Sequence, residues 1–227
     1  MVLSRELLQP DNSDEHGIKP EQLNVVRFRE LDRKSEADLK ALFELLTHPR
    51  NVEHFSKPPS DYLNLRDKLI RDNTKVYLAE NSLGEIVGGG GINDAQEGEH
   101  DHWLVKVAVK PDLQGKGIGR QLVVRLVDEA FNTKTSDGRD RGKLVVSVIR
   151  NVDGWWRMPK LLGLLDFRPL HIMMEEVDVF VQDIGKTVKQ PTERWEIRKI
   201  EWQHRRQRAD IKRILSPRNG NDTVAST

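Results

Sequence analysis

A glycine-rich turn between a strand pattern and a helix pattern constrains this sequence more than any other feature. Val105, Val107 and Val109 fall on every second position, as residues on one face of a strand do. After the turn, apolar residues recur every three or four positions, which is typical of the buried face of a helix. They are Leu122, Val123, Leu126, Val127, Ala130 and Phe131. The sequence therefore predicts a strand, a glycine-rich turn and a helix in direct succession.

The turn has the composition of an anion-binding loop. Gly115, Gly117 and Gly119 carry no side chains, so successive backbone N–H groups can converge on an anion. The N-terminus of the following helix contributes a partial positive charge. Lys116 and Arg120 add full positive charges, which suit phosphate. We therefore predict that the turn binds a phosphate group.

The spacing of the glycines excludes two common phosphate-binding loops. A nucleotide P-loop requires a glycine five residues before Gly115 and Ser or Thr after Lys116. This sequence has Lys110 and Gly117 at those places. A dinucleotide-binding loop requires a glycine where Leu122 stands. Neither loop therefore explains the turn.

The pattern that remains is Gln-x-x-Gly-x-Gly, formed by Gln114, Gly117 and Gly119. It follows Val109-Lys110-Pro111 and precedes the amphipathic helix. In this succession the sequence resembles the pyrophosphate loop of the GCN5-related N-acetyltransferases, the GNAT superfamily. The alternative is a turn that is rich in glycine but binds no ligand.

The resemblance implies a mixed α/β fold with a central, mostly antiparallel, twisted sheet flanked by helices. Its fourth and fifth strands splay apart to admit coenzyme A, and the backbone of the fourth strand pairs with the cofactor. The implied cofactor-binding residues lie in the fourth strand, in the loop and after the fifth strand. They are Val107, Ala108, Val109, Gln114, Gly115, Lys116, Gly117, Ile118, Gly119, Arg120 and Asn151.

The resemblance also implies the reaction, which is direct transfer of acetyl from acetyl-CoA to a primary amine in a ternary complex, without a metal. A backbone N–H of Val107 or Ala108 would stabilise the oxyanion. We expect a small-molecule amine, such as an amino sugar, more than a protein N-terminus or lysine. The alternative is a non-catalytic acyl-CoA-binding or interaction module that retained the loop.

Several residues are candidates for catalysis and acceptor binding. In several GNAT enzymes the fourth strand supplies the base at a position that is Trp103 here, so a neighbouring residue or water must act. We nominate Asp101 first, then His102 and Glu80. His100 and His102 also suggest a metal site, although their polar surroundings favour solvated histidines. The candidates for acceptor contact are Phe55, Tyr62, Arg66 and Trp103, against the alternative of ordinary packing and surface roles.

The segment after Asn151 departs from the family pattern, in which a tyrosine precedes Gly-Phe. Leu162 stands at the position of the tyrosine, Asp166 stands at that of the glycine, and Phe167 follows. The interval from Asn151 to Phe167 also exceeds the usual spacing by about one helical turn and contains Trp155-Trp156. Because the tyrosine normally protonates the leaving thiolate, we predict an enzyme that works without it.

Composition limits the partners and the location of the chain. Among 227 residues, 37 Lys and Arg nearly balance 36 Asp and Glu, so no overall field favours nucleic acid. The lack of cysteine excludes disulfides, thiolate metal sites and an acyl-cysteine mechanism. We find no signal peptide and no apolar run of 18 residues. We therefore expect an intracellular protein, cytoplasmic or nuclear, without membrane contact. The sequence leaves a homodimer open.

We divide the chain into a flexible arm (1–22), a GNAT domain (23–203) and a basic tail (204–227). The tail predicts a short amphipathic helix, docked on the body or on a partner subunit, followed by disorder. Its apolar residues at helical spacing are Ile211, Ile214 and Leu215. Contact of the tail with nucleic acid or an acidic protein is the alternative.

Local patterns predict the remaining elements. Before the loop they are a strand at Leu23–Leu31, helices capped by Ser35 and Ser60, and strands at Lys75–Glu80, Glu85–Ile92 and Trp103–Val109. After the loop they are a strand at Lys143–Ile149, a segment at Leu170–Val181 that fits both strand and helix, and a last strand at Trp195–Trp202. Gly88–Gly91 predict a bulge or a close approach of a backbone or ligand, against simple slack in the strand.

Overall fold

The computed structural model describes residues 27–52, 54–55, 58–72, 74–94, 103–135, 138–150, 155–170, 176–181 and 186–216. The strands are β1 Arg27–Glu30, β2 Thr74–Glu80, β3 Ile86–Asn93, β4 Trp103–Val109, β5 Lys143–Ile149, β6 Arg168–Leu170, β7 Glu176–Val181 and β8 Lys186–Arg198. The helices are α1 Glu36–Thr47, α2 Pro49–Val52, α3 Tyr62–Arg71, α4 Ile118–Asn132, α5 Arg157–Leu164, α6 Lys199–Arg205 and α7 Ala209–Leu215.

The eight strands form one sheet in the order β1-β2-β3-β4-β5-β8-β6, with β7 also paired to β8. All neighbouring strands are antiparallel except β4 and β5, which are parallel. The β4–β5 pairing in the described structure consists of Trp103 opposite Val145, so the two strands diverge toward their C-terminal ends. The expected fold class, with splayed fourth and fifth strands, is confirmed.

The glycines of β3 allow helices to pack closely on both faces of the sheet. A Cβ atom on Gly89 would lie 3.1 Å from Cδ1 of Leu42 in α1. A Cβ atom on Gly90 would lie only 2.6 Å from Cδ1 of Leu126 in α4. Because neighbouring residues of a strand face opposite sides, α1 and α4 cover opposite faces. The close approach at Gly89 and Gly90 is therefore that of side chains from packed helices, where the sequence predicted a backbone or a ligand.

Each face of the sheet has its own hydrophobic core. Around α4 the buried side chains include Leu122, Leu126 and Phe131, together with Trp202 of α6 and Ile211 of α7. Around α1 and α3 they are a separate set that includes Leu39, Leu42, Leu46, Leu65 and Leu69. Burial of these stripes is the main force that holds both helix layers on the sheet.

The helix starts show one confirmed cap and one correction. Oγ of Ser35 accepts a hydrogen bond from the Asp38 N–H at 3.2 Å, as the sequence predicts for α1. The cap of α3, however, is Asp61 and not Ser60. Its carboxylate accepts from the Asn64 N–H at 2.8 Å, and a carboxylate also suits the positive end of a helix.

The C-terminal part contains two further outcomes. The ambiguous segment contributes strands β6 and β7 on either side of 171–175, which lie outside the described residues. The last strand ends at Arg198, so the prediction that it reaches Trp202 is wrong. The Glu201 carboxylate accepts from the Arg198 N–H at 3.0 Å and starts α6 there. Trp202 then packs against α4, where its indole N–H donates to Asp128 at 3.2 Å.

The predicted tail helix is α7, and it docks on the body of the domain. Ile211 is fully buried in the α4 core, and Asp210 pairs with Arg120 of α4 at 2.5 Å. The strand predicted at Leu23–Leu31 is β1, of which the structure describes Arg27–Glu30. The arm 1–22 and the residues after 216 lie outside the described residues. None of the described helices is long and apolar enough to cross a membrane.

Candidate active site

The gap between β4 and β5 is bounded by a bulge in β4. Gly89 of β3 lies opposite Ala108, and Gly91 lies opposite Val105. Two residues of β4, at 106 and 107, therefore face Gly90 alone, which is the definition of a β-bulge. The bulge predicted at the glycine-rich strand is thus present, with the additional residue on β4.

The main chain of Val109, after the bulge, faces the gap. The N–H of Lys110 donates to Val87 of β3 at 3.0 Å, so residue 110 faces β3. Since a regular strand alternates the direction of its N–H and C=O groups, residue 108 also faces β3, whereas residue 109 faces away from it. The side of β4 that would bind another strand is therefore turned toward the gap, as the resemblance implies.

The glycine loop lies where β4 ends and α4 begins, at the open end of the gap. Gly115 and Gly117 have φ of 79° and 84°, in the left-handed region that favours glycine. A Cβ atom on either residue would have no neighbouring atom within 4 Å, so the space above the loop is open. Lys116 is exposed between them. Together with the N-terminus of α4, these residues fit a pyrophosphate group.

A chain of hydrogen bonds fixes this loop, and two of its members were not predicted. Nε2 of Gln114 donates to Oδ1 of Asn51 at 2.9 Å. Nδ2 of the buried Asn51 donates to the carbonyls of Leu45 at 2.8 Å and Val109 at 3.2 Å. On its other side, Oε1 of Gln114 accepts from Arg157 at 3.1 Å. The chain links α1, α2, β4 and α5 around the loop.

The other residues predicted to bind the cofactor take supporting positions. Ile118 is buried in the α4 core, and Gly119 lies near Val109, where a Cβ atom would be 3.7 Å from its Cγ2. Arg120 points to α7, where it pairs with Asp210. Its charge therefore has a structural partner within the chain. Asn151 lies outside the described residues.

The candidates for acceptor contact lie in two places. Phe55, Tyr62 and Arg66 are near α1 and α3, and Trp103 is at the end of the gap where β4 and β5 still pair. Phe55 and Tyr62 are half-buried against the α1 core, and the Tyr62 hydroxyl donates to Glu36 at 3.2 Å. Arg66 pairs with the adjacent Asp67 at 3.0 Å. Trp103 lies where β4 and β5 still pair, and the Arg194 guanidinium is 5.0 Å from its ring centroid.

The structure describes one of the three candidate bases. Glu80 ends β2, two strands from β4 in the sheet order. Its carboxylate accepts from Nε of Arg29 at 2.5 Å, and the same guanidinium binds Asp38. Hydrogen bonding to Arg29 holds the pKa of Asp38 below its usual range. This position favours a structural role for Glu80 beneath α1, whereas Asp101 and His102 lie outside the described residues.

The position of the family tyrosine is occupied by a core residue. Leu162 is fully buried, and its carbonyl accepts from the Phe167 N–H at 3.0 Å, which closes the end of α5. Asp166 adopts φ of 65° in this turn, a left-handed conformation that favours glycine. The two tyrosines lie elsewhere: Tyr62 begins α3, and Tyr77 is in β2 with its hydroxyl donating to Glu129 of α4 at 3.1 Å.

Comparison with known proteins tests the resemblance to a family. Residues 39–137, which include β4, the loop and α4, match the family described as Acetyltransferase (GNAT) family. The resemblance to the GNAT family is therefore confirmed. Comparison with curated proteins gives no match. In the described part of the chain no group of three or more His, Cys, Asp or Glu could hold a metal ion.

Solved structures confirm that the fold is that of GNAT acetyltransferases. Variant forms of the spermidine/spermine N-acetyltransferase SpeG from Vibrio cholerae are similar with a TM-score of 0.60 and 18% identity, over 79% of this chain and 96% of that chain. The spermidine N-acetyltransferase from Vibrio cholerae in complex with CoA and spermine gives a TM-score of 0.59 and 19% identity, over 78% and 97%. A dodecameric structure of that enzyme gives 0.57 and 19%, over 79% and 96%.

Proposed function

We propose that this chain transfers an acetyl group from acetyl-CoA to a primary amine. The observation that carries the proposal is the open glycine loop, with Gly115 and Gly117 in the left-handed conformation, at the splayed end of β4 and β5. The GNAT family match over this region supports it. The loop provides a pyrophosphate site, and the gap provides a path along β4 toward the bulge.

The residues of the chain divide the work between binding and electrostatic stabilisation. Acetyl-CoA supplies the acetyl thioester when bound. Backbone N–H groups of the loop, together with Lys116, bind the negative charge of its phosphates. We assign the role of donor to the oxyanion to the backbone N–H of Val107 at the bulge, because Ala108 faces β3. Placing thioester and amine side by side contributes the orientation that a bimolecular reaction in water lacks.

A small-molecule amine is the acceptor class that we propose. The similar solved structures include a spermidine N-acetyltransferase bound to CoA and spermine, and this likeness supports a small amine over a protein lysine. The dodecameric structure of that enzyme supports self-association of this chain as well. A non-catalytic acyl-CoA-binding module remains the second candidate, because Leu162 replaces the family tyrosine.

Thiol release tests acetyl transfer against mere binding of the cofactor. Purified protein is mixed with acetyl-CoA and a panel of amines: spermidine, an amino sugar, a peptide with a free N-terminus and a peptide with one lysine. We expect release of coenzyme A thiol in equal amount to acetylated product, fastest with a small-molecule amine. Calorimetric binding of acetyl-CoA with no release for any amine would contradict transfer and support the binding module.

Replacement of either tyrosine is expected to leave catalysis largely intact. Burial raises the pKa of Tyr77, with Glu129 adding to the effect, so this hydroxyl is a poor proton donor. Tyr62, at the start of α3, donates a hydrogen bond to the exposed carboxylate of Glu36. A thiol with pKa near 8.5 leaves without much help at neutral pH. In Tyr62→Phe and Tyr77→Phe, kcat at saturating acetyl-CoA should therefore change by less than about tenfold.

The contrary outcome for the tyrosines is also informative. General acid–base groups typically contribute 10²- to 10⁴-fold. A fall in kcat of roughly a hundredfold in one variant, with unchanged cofactor affinity, would identify that tyrosine as the acid. It would show that the acid has moved to another element in this chain.

A further inference from the structure

The stretch after β5 in which this chain is longer than the family pattern contains Trp155 and Trp156, and Arg157 joins its end to the glycine loop. Trp155 and Trp156 form a turn after β5, and Arg157 begins α5. Nη1 of Arg157 donates to Oε1 of Gln114, the first residue of the loop motif, at 3.1 Å. The loop follows β4 and this turn follows β5. The hydrogen bond therefore spans the open end of the gap.

The two tryptophans of this turn have different environments. Trp155 is half-buried against Ile149 and Val179, and the Arg150 guanidinium lies 4.7 Å from its ring centroid. Trp156 is 53% exposed, with the Arg157 guanidinium 5.8 Å from its ring centroid. Packing explains Trp155 as an anchor of the turn. It does not explain an exposed indole at Trp156.

We propose that Trp156 and Arg157 bind the adenosine nucleotide end of acetyl-CoA, an inference that rests on the proposed function. An exposed indole stacks on a nucleobase, and an exposed guanidinium donates to phosphate in charge-assisted hydrogen bonds. Arg157 is already oriented by Gln114, so less entropy is lost when it binds. The structure thereby assigns a role to the turn that its family resemblance leaves unexplained.

The position of the pair along the site favours the nucleotide over the acceptor amine. The thioester belongs at the bulge of β4, and the pyrophosphate belongs at the loop that follows β4. The adenosine end of the cofactor lies beyond the pyrophosphate, and the bond from Arg157 to Gln114 places the pair beside the loop and away from the bulge. A protonated amine would be repelled by the Arg157 guanidinium. The pair thus contributes to cofactor affinity and not to acceptor choice.

Two ligands that differ only in this end test the proposal by calorimetry. They are acetyl-CoA and S-acetyl-4′-phosphopantetheine, which lacks the adenosine nucleotide. We expect the wild type to bind acetyl-CoA at least about tenfold more tightly, since stacking on one aromatic residue is worth about that factor. Trp156→Ala should weaken acetyl-CoA about tenfold and leave the shorter ligand within about twofold. Arg157→Met also loses the bond to Gln114 of the loop, and it should weaken acetyl-CoA clearly more than the shorter ligand. Quenching of tryptophan fluorescence by adenosine 3′,5′-bisphosphate should diminish in Trp156→Ala.

Two control variants separate this effect from charge and folding. Arg168→Met removes the same charge at a side chain that is 69% exposed beyond the other end of α5, and it should bind both ligands as the wild type does. Trp155→Ala removes the half-buried anchor and should lower the melting temperature, which Trp156→Ala should not.

The outcomes distinguish the two proposals. A wild type that binds both ligands equally, or variants that weaken both ligands equally or neither, would overturn the role of Trp156 and Arg157 while acetyl transfer still stands. A wild type that binds neither ligand would overturn the proposed function itself.

Discussion

The Gly117→Asp variant is expected to lose acetyl-CoA binding and keep its fold. Two like charges about 4 Å apart near a protein surface repel by roughly 4 kcal/mol. Since each 1.4 kcal/mol is a factor of ten, the Kd should rise at least about 100-fold. The fold should tolerate the change because residue 117 is the N-cap of α4 and has open space around it, and because Asp is one of the few residues besides glycine that adopt a left-handed φ such as 84°. Calorimetry measures the affinity, and thermal unfolding measures the fold.

The matched variant Gly117→Asn separates charge from shape. Asparagine has nearly the size of aspartate, also occurs in the left-handed region and also caps helices. It carries no charge, so its affinity for acetyl-CoA should fall by less than about tenfold. Equal losses in both variants would show that bulk at this position matters and charge does not. Wild-type affinity in Gly117→Asp would refute the assignment of the loop.

Local patterns were sufficient for the elements around the loop. Alternation predicted β4 at Trp103–Val109 and a short apolar run predicted β5 at Lys143–Ile149, and both strands have those bounds in the structure. The helix after the loop was equally clear because its apolar residues recur at helical spacing over four turns. In these segments the periodicity and the tertiary burial agree, so the sequence carries the whole signal.

Where tertiary contacts decide the structure, the sequence pattern was misleading. The apolar residues of the predicted last strand are Trp195, Ile197, Ile200 and Trp202. Within each pair the two residues are two positions apart, and this spacing suggested a strand. The chain instead turns into α6 at Arg198, because Glu201 caps it and Trp202 finds a buried place on α4. The cap could be seen only weakly in sequence, since Arg198 is not a usual N-cap residue.

Part of the candidate site was also beyond sequence reasoning. The motif identified Gln114, but its partners Asn51 and Arg157 are 63 and 43 residues away along the chain. Neither partner belongs to a local pattern. Only the packing of α2 and α5 around the loop brings them to it. Such long-range partners carry no periodic signal that one sequence could show.

Replacement of Arg141 by methionine is expected to cause the largest loss of stability. Arg141 lies between α4 and β5, yet its side chain is 1% exposed. Its guanidinium binds Asp94, with Nη2 at 2.5 Å and Nε at 2.7 Å from Oδ1. Nη1 donates to the carbonyls of Ala130 and Thr133, both at 2.9 Å. Arg141 therefore joins the end of β3 to the C-terminal end of α4.

The expected loss follows from the burial of both charges. Removal of one partner leaves the Asp94 carboxylate, itself 6% exposed, without this counter-charge. Breaking a buried ion pair in this way costs about 3–5 kcal/mol. Urea denaturation of Arg141→Met should show that decrease in the free energy of unfolding. Arg168→Met, which breaks an exposed pair with Glu201, should cost no more than about 1 kcal/mol.

A double variant shows whether the uncompensated charge is the cause. In Asp94→Asn with Arg141→Met the buried carboxylate charge is gone, so part of the lost stability should return, although the carbonyls of α4 still lack their donor. If the double variant were less stable than Arg141→Met by the full cost of a second independent mutation, the two residues would not be coupled. If Arg141→Met unfolded at the urea concentration of the wild type, the guanidinium would not hold α4 to β3 in solution.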